Sequence, residues 1–231
     1  MMATEIVRDV YWLNGGSSNF YLCVEGDGLT LIDTGMPRRA QLVWDLLAQL
    51  GRPSADLTRI LVTHADLDHA GSAAVIQEQS GAAVYAGTLA ASLLTQGKPP
   101  THMPRLVQFM LDHFLRYRAL PAATITSFAD GDVLPVLGGL HVLATPGHTL
   151  DHFSFYSPTL GVLFAGDALN TRNGRLQATP PSITADPDAA RRSALRLLAL
   201  APAVIACGHG KPFIGHSADD VMSLFNELRQ E

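Results

Sequence analysis

Thr63-His64-Ala65-Asp66-Leu67-Asp68-His69-Ala70-Gly71 is the stretch of this chain that is richest in metal-binding side chains. Four imidazole or carboxylate groups fall within six residues, directly after the apolar segment RILVT (59–63), which we predict to be a short buried strand. In an extended loop, residues two apart point the same way, so His64, Asp66 and Asp68 can converge. The second histidine of the stretch lies at the predicted start of a helix and can serve a second centre.

Three more polar clusters follow predicted strands. They are TPGHT (145–149) after LHVLAT, GD (166–167) after GVLFAG, and GHG (208–210) after AVIAC. Glycine beside each His or Asp lets the backbone turn sharply. Imidazole and carboxylate suit Zn²⁺, and also iron and manganese. Seven such ligands are too many for one ion, and they fit two ions about 3.5–4 Å apart.

Composition restricts the class of protein. The chain has 231 residues, 16 Lys and Arg against 21 Asp and Glu, a net charge of −5 and 47% hydrophobic residues. These values exclude a disordered chain. The sequence has no run of basic residues of the kind that binds nucleic acid. The apolar stretch from Leu197 to Gly208 is too short to cross a bilayer, and MMATEIVRDV (1–10) shows no secretory signal. We therefore expect a soluble, cytoplasmic protein that binds neither nucleic acid nor membrane, with Cys23 and Cys207 as buried apolar residues.

The order of predicted elements indicates two similar halves of mixed α/β type. A helix-rich segment at 88–120, interrupted by Lys98-Pro99-Pro100, separates the halves. Other predicted elements are strands at IVRDVYWL (6–13), NFYLCVE (19–25) and LTLIDT (29–34), helices at 37–51 and 71–80, a helix that Asp186-Pro187 caps and starts, and a last helix with a capping box at Ser217 and Asp220.

The polar clusters as a set resemble the metallo-β-lactamase superfamily. The segments that carry this resemblance are THADLDHAG (63–71), TPGHT (145–149), GD (166–167), GHG (208–210), LIDTG (31–35) and DGDVLPVLGG (130–139). The resemblance extends from about Val10 to Gly215. It implies an α/β (α+β) fold: an αββα sandwich of two similar halves, with metals at one edge between the sheets. Residues 1–231 would form a single domain, with a helical insertion at about 88–120.

The resemblance also implies a role for each of seven residues. The first metal would be held by His64, Asp66 and His148, the second by Asp68, His69 and His209, and Asp167 would bridge the two. The chain departs from the family pattern at Asp66, since it has HxDxDH where HxHxDH is usual. A carboxylate at this place also resembles the flavodiiron branch, which has Glu there and binds iron. The identity of the metal therefore stays open.

A metal-dependent hydrolase is the implied activity. Two divalent ions, zinc with iron or manganese as alternatives, would create hydroxide that attacks an ester, thioester or lactone carbonyl. Asp68 would be the catalytic residue that steers the hydroxide or shuttles its proton. The chain looks most similar to the hydroxyacylglutathione hydrolase and lactonase-like members, which act on small-molecule substrates. The alternative functions are a diiron redox protein with a separate electron donor and a non-catalytic metal-binding module. For the oligomeric state, the sequence is compatible with a homodimer.

The remaining polar candidates are interpreted as ordinary. Asp33 is expected to be a structural carboxylate or a partner of a ligand rather than a ligand. Lys211 is expected at the surface. The apolar stripe from Leu106 to Tyr117 can be core or substrate pocket, and both readings stay open. The histidines expected to bind no metal are His102, His113, His141, His152 and His216.

Overall fold

The computed structural model describes residues 3–26, 28–215 and 218–230, with the backbone alone for 111–114 and 218. The first half of the chain contains seven strands and five helices in the described residues. These are β1 Thr4–Val7, β2 Val10–Asn14, β3 Asn19–Glu25, β4 Gly28–Ile32, α1 Ala40–Gln49, β5 Leu57–Leu61, α2 Leu67–Ala70, α3 Ala73–Ser80, β6 Ala83–Gly87, α4 Thr88–Gln96, α5 Arg105–Phe114 and β7 Ile125–Phe128.

The second half has the same alternation of strands followed by helices. Its elements are β8 Val133–Leu134, β9 Leu140–Ala144, β10 Phe153–Ser157, β11 Val162–Gly166, β12 Leu169–Asn170, β13 Gln177–Ala178, α6 Pro187–Leu198, β14 Val204–Cys207, β15 Phe213–Ile214 and α7 Ala218–Gln230.

Two sheets form the centre of the molecule. The first runs β1-β2-β3-β4-β5-β6-β7, antiparallel up to β4 and parallel from β4 to β7. The second runs β15-β14-β11-β10-β9-β8, with β11 and β14 parallel. Strands β4 and β11 are buried along their whole length, which fits their near-continuous apolar sequences.

Three clusters of buried side chains define four layers. Residues such as Ile32 and Leu61 of the first sheet pack against Phe155 and Phe164 of the second. The other face of the first sheet packs on α1, α3 and α4, and the other face of the second packs on α6 and α7. The predicted αββα sandwich of two similar halves is confirmed.

Several predicted boundaries differ from the structure. The prediction of one strand over 6–13 is wrong, because the chain turns at Arg8 and Asp9 and forms the antiparallel pair β1 and β2. Asp9 has a φ of 64°, a left-handed conformation that a continuous strand does not contain. The helix predicted at 71–80 begins earlier, at Leu67, and is divided into α2 and α3. Helix α1 begins at Ala40, after the predicted Pro37.

Other predicted boundaries are confirmed. Asp186 caps α6, since its Oδ1 accepts from the backbone N–H of Ala189 at 2.9 Å, and Pro187 is the first helical residue. The capping box at Ser217 involves a position outside the described residues and stays a prediction. Within the described part of the chain, no helix is both long and apolar enough to cross a membrane.

The four strands that precede the polar clusters end at one common edge of the two sheets. Here the backbone N–H of Phe153 donates to the carbonyl of Thr63 at 2.8 Å, and the N–H of Asn19 donates to the carbonyl of Gly208 at 2.7 Å. These hydrogen bonds join the second half of the chain to the first at the edge that carries the polar clusters.

Candidate metal centre

Asp66, in the loop after β5, does not use its carboxylate to cap the helix that follows. Asp66 is the residue before α2 and has extended backbone angles, φ −63° and ψ 150°. A capping aspartate usually accepts a hydrogen bond from the helix backbone, but Asp66 makes no such bond and its carboxylate stays available. Asp68 and His69 follow on α2 itself.

A first group of candidate ligands consists of His64, Asp66 and His148. Oδ2 of Asp66 lies 3.4 Å from Nε2 of His64 and 3.1 Å from Nε2 of His148. All three side chains are buried. The loop that follows β5 of the first sheet and the loop that follows β9 of the second sheet thus meet around one carboxylate oxygen.

A second group consists of Asp68, His69 and His209. Nε2 of His209 lies 3.7 Å from Oδ2 of Asp68. The imidazoles of His69 and His209 are edge to face, with ring centroids 5.5 Å apart. Asp68 is 26% exposed, which makes this side of the site the more accessible one.

Asp167, at the end of β11, lies between the two groups. Its Oδ1 is 3.2 Å from Nε2 of His69, and its Oδ2 is 2.9 Å from Nε2 of His209. The same Oδ2 is 3.4 Å from Nε2 of His148, a member of the first group. One buried carboxylate therefore adjoins both groups.

The orientation of three of the imidazoles is set by hydrogen bonds at Nδ1. Nδ1 of His69 lies 2.8 Å from Oδ2 of Asp33, and Nδ1 of His209 lies 2.7 Å from the carbonyl of Ser17. Nδ1 of His64 lies 2.9 Å from Oγ1 of Thr63. Histidine ligands of metals are commonly held in this way, with the opposite nitrogen directed at the ion.

Several atoms directed into the site lack hydrogen-bond partners among the described residues, although they are buried. They include Nε2 of His64, Nε2 of His69 and Oδ1 of Asp167. Buried polar atoms are nearly always paired, and an exception is explained by a water or an ion. The donor set of imidazole and carboxylate, with these unpaired atoms, fits divalent transition-metal cations.

The carboxylates and imidazoles of the cluster stabilise one another's charged forms. Burial would raise the pKa of Asp167, but the charges of the adjacent His209 and His69 imidazoles outweigh it and hold the pKa well below its ordinary value. Burial likewise opposes ionisation of His69, yet Asp167 and Asp33 raise the pKa of its imidazole well above the ordinary value. Burial would also raise the pKa of Asp66, but the hydrogen bond with His148 and the nearby His64 imidazole outweigh it and lower the pKa. These carboxylates are thus kept ionised.

Gly208 shows how tightly the backbone approaches the site. A Cβ at this position would overlap Oδ1 of Asp167 and would stand 2.7 Å from Cε1 of His69. The glycine before His209 is therefore required by space, whatever its contribution to turning the chain.

The structure brings together all seven predicted ligands and leaves Asp33 outside the group, as expected. His152 uses both nitrogens within the protein: Nδ1 lies 2.8 Å from Oγ1 of Thr145, and Nε2 accepts from the N–H of Asp167 at 2.9 Å. His141 and Lys211 are exposed. The side chain of His113 and the whole of His216 lie outside the described residues.

His102, one of the histidines expected to bind no metal, lies beside the candidate ligands. Its side chain is fully buried, and its Nε2 lies 3.3 Å from Oδ2 of Asp66. Burial lowers the pKa of its imidazole, and the Asp66 carboxylate and the Pro100 carbonyl partly offset this effect. No local pattern marks this residue, since it follows Pro99-Pro100 in a loop and ends no predicted strand.

The helical segment at 88–120 reaches the site through this loop. Leu106, Phe109 and Met110 of α5 are 77%, 52% and 45% exposed, so these three members of the stripe are not core. Tyr117 is buried, and its hydroxyl lies 2.9 Å from the carbonyl of Ala65 and 2.8 Å from that of Lys98. This segment is thus anchored to the loop that carries the candidate ligand Asp66.

Comparisons with known proteins show the family to which the chain belongs. The family model described as the metallo-β-lactamase superfamily matches residues 13–209. A Bacillus subtilis (strain 168) protein named "Probable metallo-hydrolase YflN" is 28% identical over 244 residues, covering 97% of this chain and 92% of the relative. The hydroxyacylglutathione hydrolase of Idiomarina loihiensis is 32% identical over 179 residues, covering 76% of this chain and 57% of that enzyme.

A solved structure shows the same fold. The B3 metallo-β-lactamase with an active-site glutamic acid superposes with a TM-score of 0.76, covering 100% of this chain and 88% of that chain at 22% identity. The chain belongs to the metallo-β-lactamase superfamily and is, in class, a metallo-hydrolase of that superfamily. The resemblance inferred from the sequence motifs is confirmed.

Proposed function

We propose that this chain is a dinuclear metal-dependent hydrolase that cleaves an ester, thioester or lactone bond. The observation that carries the proposal is the position of Asp167, whose two oxygens lie 3.2 Å from His69 and 3.4 Å from His148. A carboxylate that adjoins one histidine of each group has the placement that a bridging ligand needs. In two-metal hydrolytic sites the ions are about 3.5–4 Å apart.

Each residue of the site then has a defined task. His64, Asp66 and His148 would hold the first cation, and Asp68, His69 and His209 the second, with Asp167 shared. Bound divalent cations supply Lewis acidity and lower the pKa of water to about 7. Zinc is favoured by the imidazoles, while the carboxylates also suit manganese and iron.

Asp68 is proposed to handle the proton of the attacking water in addition to its ligand role. It is the most accessible of the site's carboxylates, and its Oδ2 is 3.7 Å from Nε2 of His209. It therefore combines access to solvent with a place beside the second group, which general base catalysis requires. Asp66 and Asp167 are too enclosed to exchange protons with bulk water directly.

The substrate class is inferred from the relatives and from the insertion. Since several relatives are named hydroxyacylglutathione hydrolases, acyl thioesters come first. The exposed apolar side chains of α5, Leu106, Phe109 and Met110, are proposed to contact the acyl group. A single domain, a homodimer and a cytoplasmic location stay predictions of the sequence.

The test is metal analysis of the purified chain followed by turnover of a panel with each metal. The panel contains hydroxyacyl-glutathione thioesters, simple esters, lactones and a phosphodiester. We expect two metal ions per chain and turnover of a carbonyl substrate. Iron–oxygen absorption bands with oxygen or nitric oxide reduction would replace the proposal by the diiron alternative. Two bound ions with no turnover across the panel would favour a non-catalytic metal-binding module.

A further inference from the structure

His102 is a buried imidazole directed at the first metal group from outside the predicted ligand set. It lies in the loop between α4 and α5, and its side chain is 0% exposed. Its ring centroid is 4.8 Å from that of His148, at an interplanar angle of 67°. A third imidazole thus adjoins the Asp66 carboxylate, beside those of His64 and His148.

Hydrogen bonds fix the conformation of the loop that carries His102. Oε1 of Gln108, a buried residue of α5, accepts from the backbone N–H of His102 at 3.2 Å and from that of Met103 at 3.3 Å. The hydroxyl of Tyr117 lies between the carbonyls of Lys98 and Ala65. The insertion is therefore held against the loop that contains Asp66.

By distance and angle neither ring nitrogen of His102 has a hydrogen-bond partner within the described residues, although the Pro100 carbonyl acts favourably on the charged form of the ring. A buried side chain whose Nε2 is left in this way requires an explanation. Its Nε2 is 3.3 Å from Oδ2 of Asp66, beside the 3.4 Å and 3.1 Å of His64 and His148. Ligands about 2.0–2.1 Å from a tetrahedral zinc lie roughly 3.3 Å from one another. All three imidazoles have this spacing from the carboxylate oxygen.

We propose that Nε2 of His102 is a further ligand of the cation held by His64, Asp66 and His148. The proposal rests on the metal centre of the proposed function. His102 belongs to none of the three groups of mutually close ligand atoms, so coordination requires its imidazole to close on His64 and His148 when the cation binds. The distance between its Nε2 and Oδ2 of Asp66 is already that of two ligands on one cation.

The first cation would then have three imidazoles and two carboxylates available to it, those of Asp66 and of the shared Asp167. Five protein ligands are one more than a four-coordinate zinc site uses, so protein atoms would leave little room for water or substrate on this cation. Substrate and water would then meet the cations mainly on the side of Asp68 and the second group. The insertion at 88–120 would be part of the metal centre as well as a wall beside it.

The experiment compares His102→Ala and His102→Gln with the unaltered chain, and uses His141→Ala as a control on an exposed histidine. Each full-length protein is stripped with a chelator and reloaded with zinc or cobalt(II). Zinc affinity is measured by competition with a chromophoric chelator, and coordination by the visible absorption of cobalt(II). Thermal midpoints of the metal-free proteins show whether each variant folds.

We expect His102→Ala to weaken zinc binding at least about tenfold and to change the cobalt(II) bands, with free imidazole restoring them. His102→Gln should behave like His102→Ala. Unchanged affinity and bands in His102→Ala would overturn the proposal. Full rescue by His102→Gln, whose amide N–H can still donate to Asp66, would also overturn it and leave a positioning residue. If His102→Ala fails to fold, His102→Gln decides alone by the same readouts.

These measurements use no substrate, so the two proposals fail separately. A chain that binds two metals through His102 and turns over nothing would contradict the hydrolase and keep the ligand. A chain that hydrolyses a carbonyl substrate with the cobalt(II) spectrum unaffected by His102→Ala would do the reverse.

Discussion

Oδ2 of Asp33 lies 2.8 Å from Nδ1 of His69, so that the opposite nitrogen of this imidazole faces Asp167 at 3.2 Å. The same Asp33 accepts from the backbone N–H of Thr63 at 2.8 Å and from its hydroxyl at 2.7 Å. One carboxylate therefore fixes both the start of the loop after β5 and a candidate metal ligand on α2. Its own φ of 60° is left-handed, a strain that aspartate and asparagine tolerate better than most residues.

Asp33→Asn should weaken metal binding about 10–100-fold, because the amide holds the His69 imidazole less firmly and adds no negative charge. Asparagine keeps the shape of the side chain and tolerates the left-handed backbone, so the metal-free protein should still fold. Zinc titration and a thermal midpoint of the metal-free protein measure the two effects. Unchanged affinity would show that Asp33 does not position His69.

Asp167→Ala should be the most damaging removal of a single candidate ligand. The change takes a shared negative charge from between two cations, so bound metal should fall from two towards one or none and activity should be lost. Elemental analysis after gel filtration provides the count. Asp45→Ala, on the exposed face of α1, is the matched control. Two metals with normal activity in Asp167→Ala would refute the bridging role.

Gly208→Ala should disrupt the centre without altering any polar side chain. The added methyl group would displace Asp167 or His69, and overpacking of this kind costs about 1–3 kcal/mol of unfolding free energy. Gly26→Ala is the control, since nothing lies within 4 Å of a Cβ there. We expect metal binding to fall in the first variant and to stay unchanged in the second. Equal metal affinity of the two variants would contradict the close approach.

Asp66→His should tune the centre and preserve it. A carboxylate is a harder donor than imidazole and adds one negative charge, which makes the first metal a weaker Lewis acid. The histidine variant should keep two metals, prefer zinc more strongly, and move the acidic limb of the pH–rate profile to lower pH. A profile that stays in place with two zinc ions bound would show that Asp66 is not a ligand. The first metal would then be held by His64, His148 and, if the proposal above holds, His102.

Phe109→Ala should change substrate preference and leave stability unaffected. The side chain is 52% exposed on α5, so its truncation removes little buried surface. Rates on long and short acyl substrates should change relative to one another, with metal content constant. Val133→Ala, at a 56% exposed position of β8, is the control. A loss of stability with unchanged preference would assign Phe109 to packing. Phe114, which belongs to the same stripe, has its side chain outside the described region.

Much of the candidate site could be predicted because each of its parts is local. A buried strand followed by a polar, glycine-flanked turn is a pattern of neighbouring residues, and β5, β9, β11 and β14 each have it. That these clusters lie at one edge between the sheets is what the resemblance to the superfamily implies. The limits of strands and helices were less accurate, because a single left-handed residue such as Asp9 turns one predicted strand into a hairpin.

The sequence alone therefore determined the class of fold, the four strand-end clusters and the seven candidate ligands in their order. Only the tertiary structure decided which atoms meet. Asp33 and His69 are far apart in sequence, and Asp167 adjoins both groups because the two sheets are hydrogen bonded at their common edge. His102 lies in a loop without a pattern, and the packing of the insertion through Gln108 and Tyr117 brings it to Asp66. Spacing along the chain specifies turns and periodic faces, whereas contacts between distant loops depend on how whole layers pack.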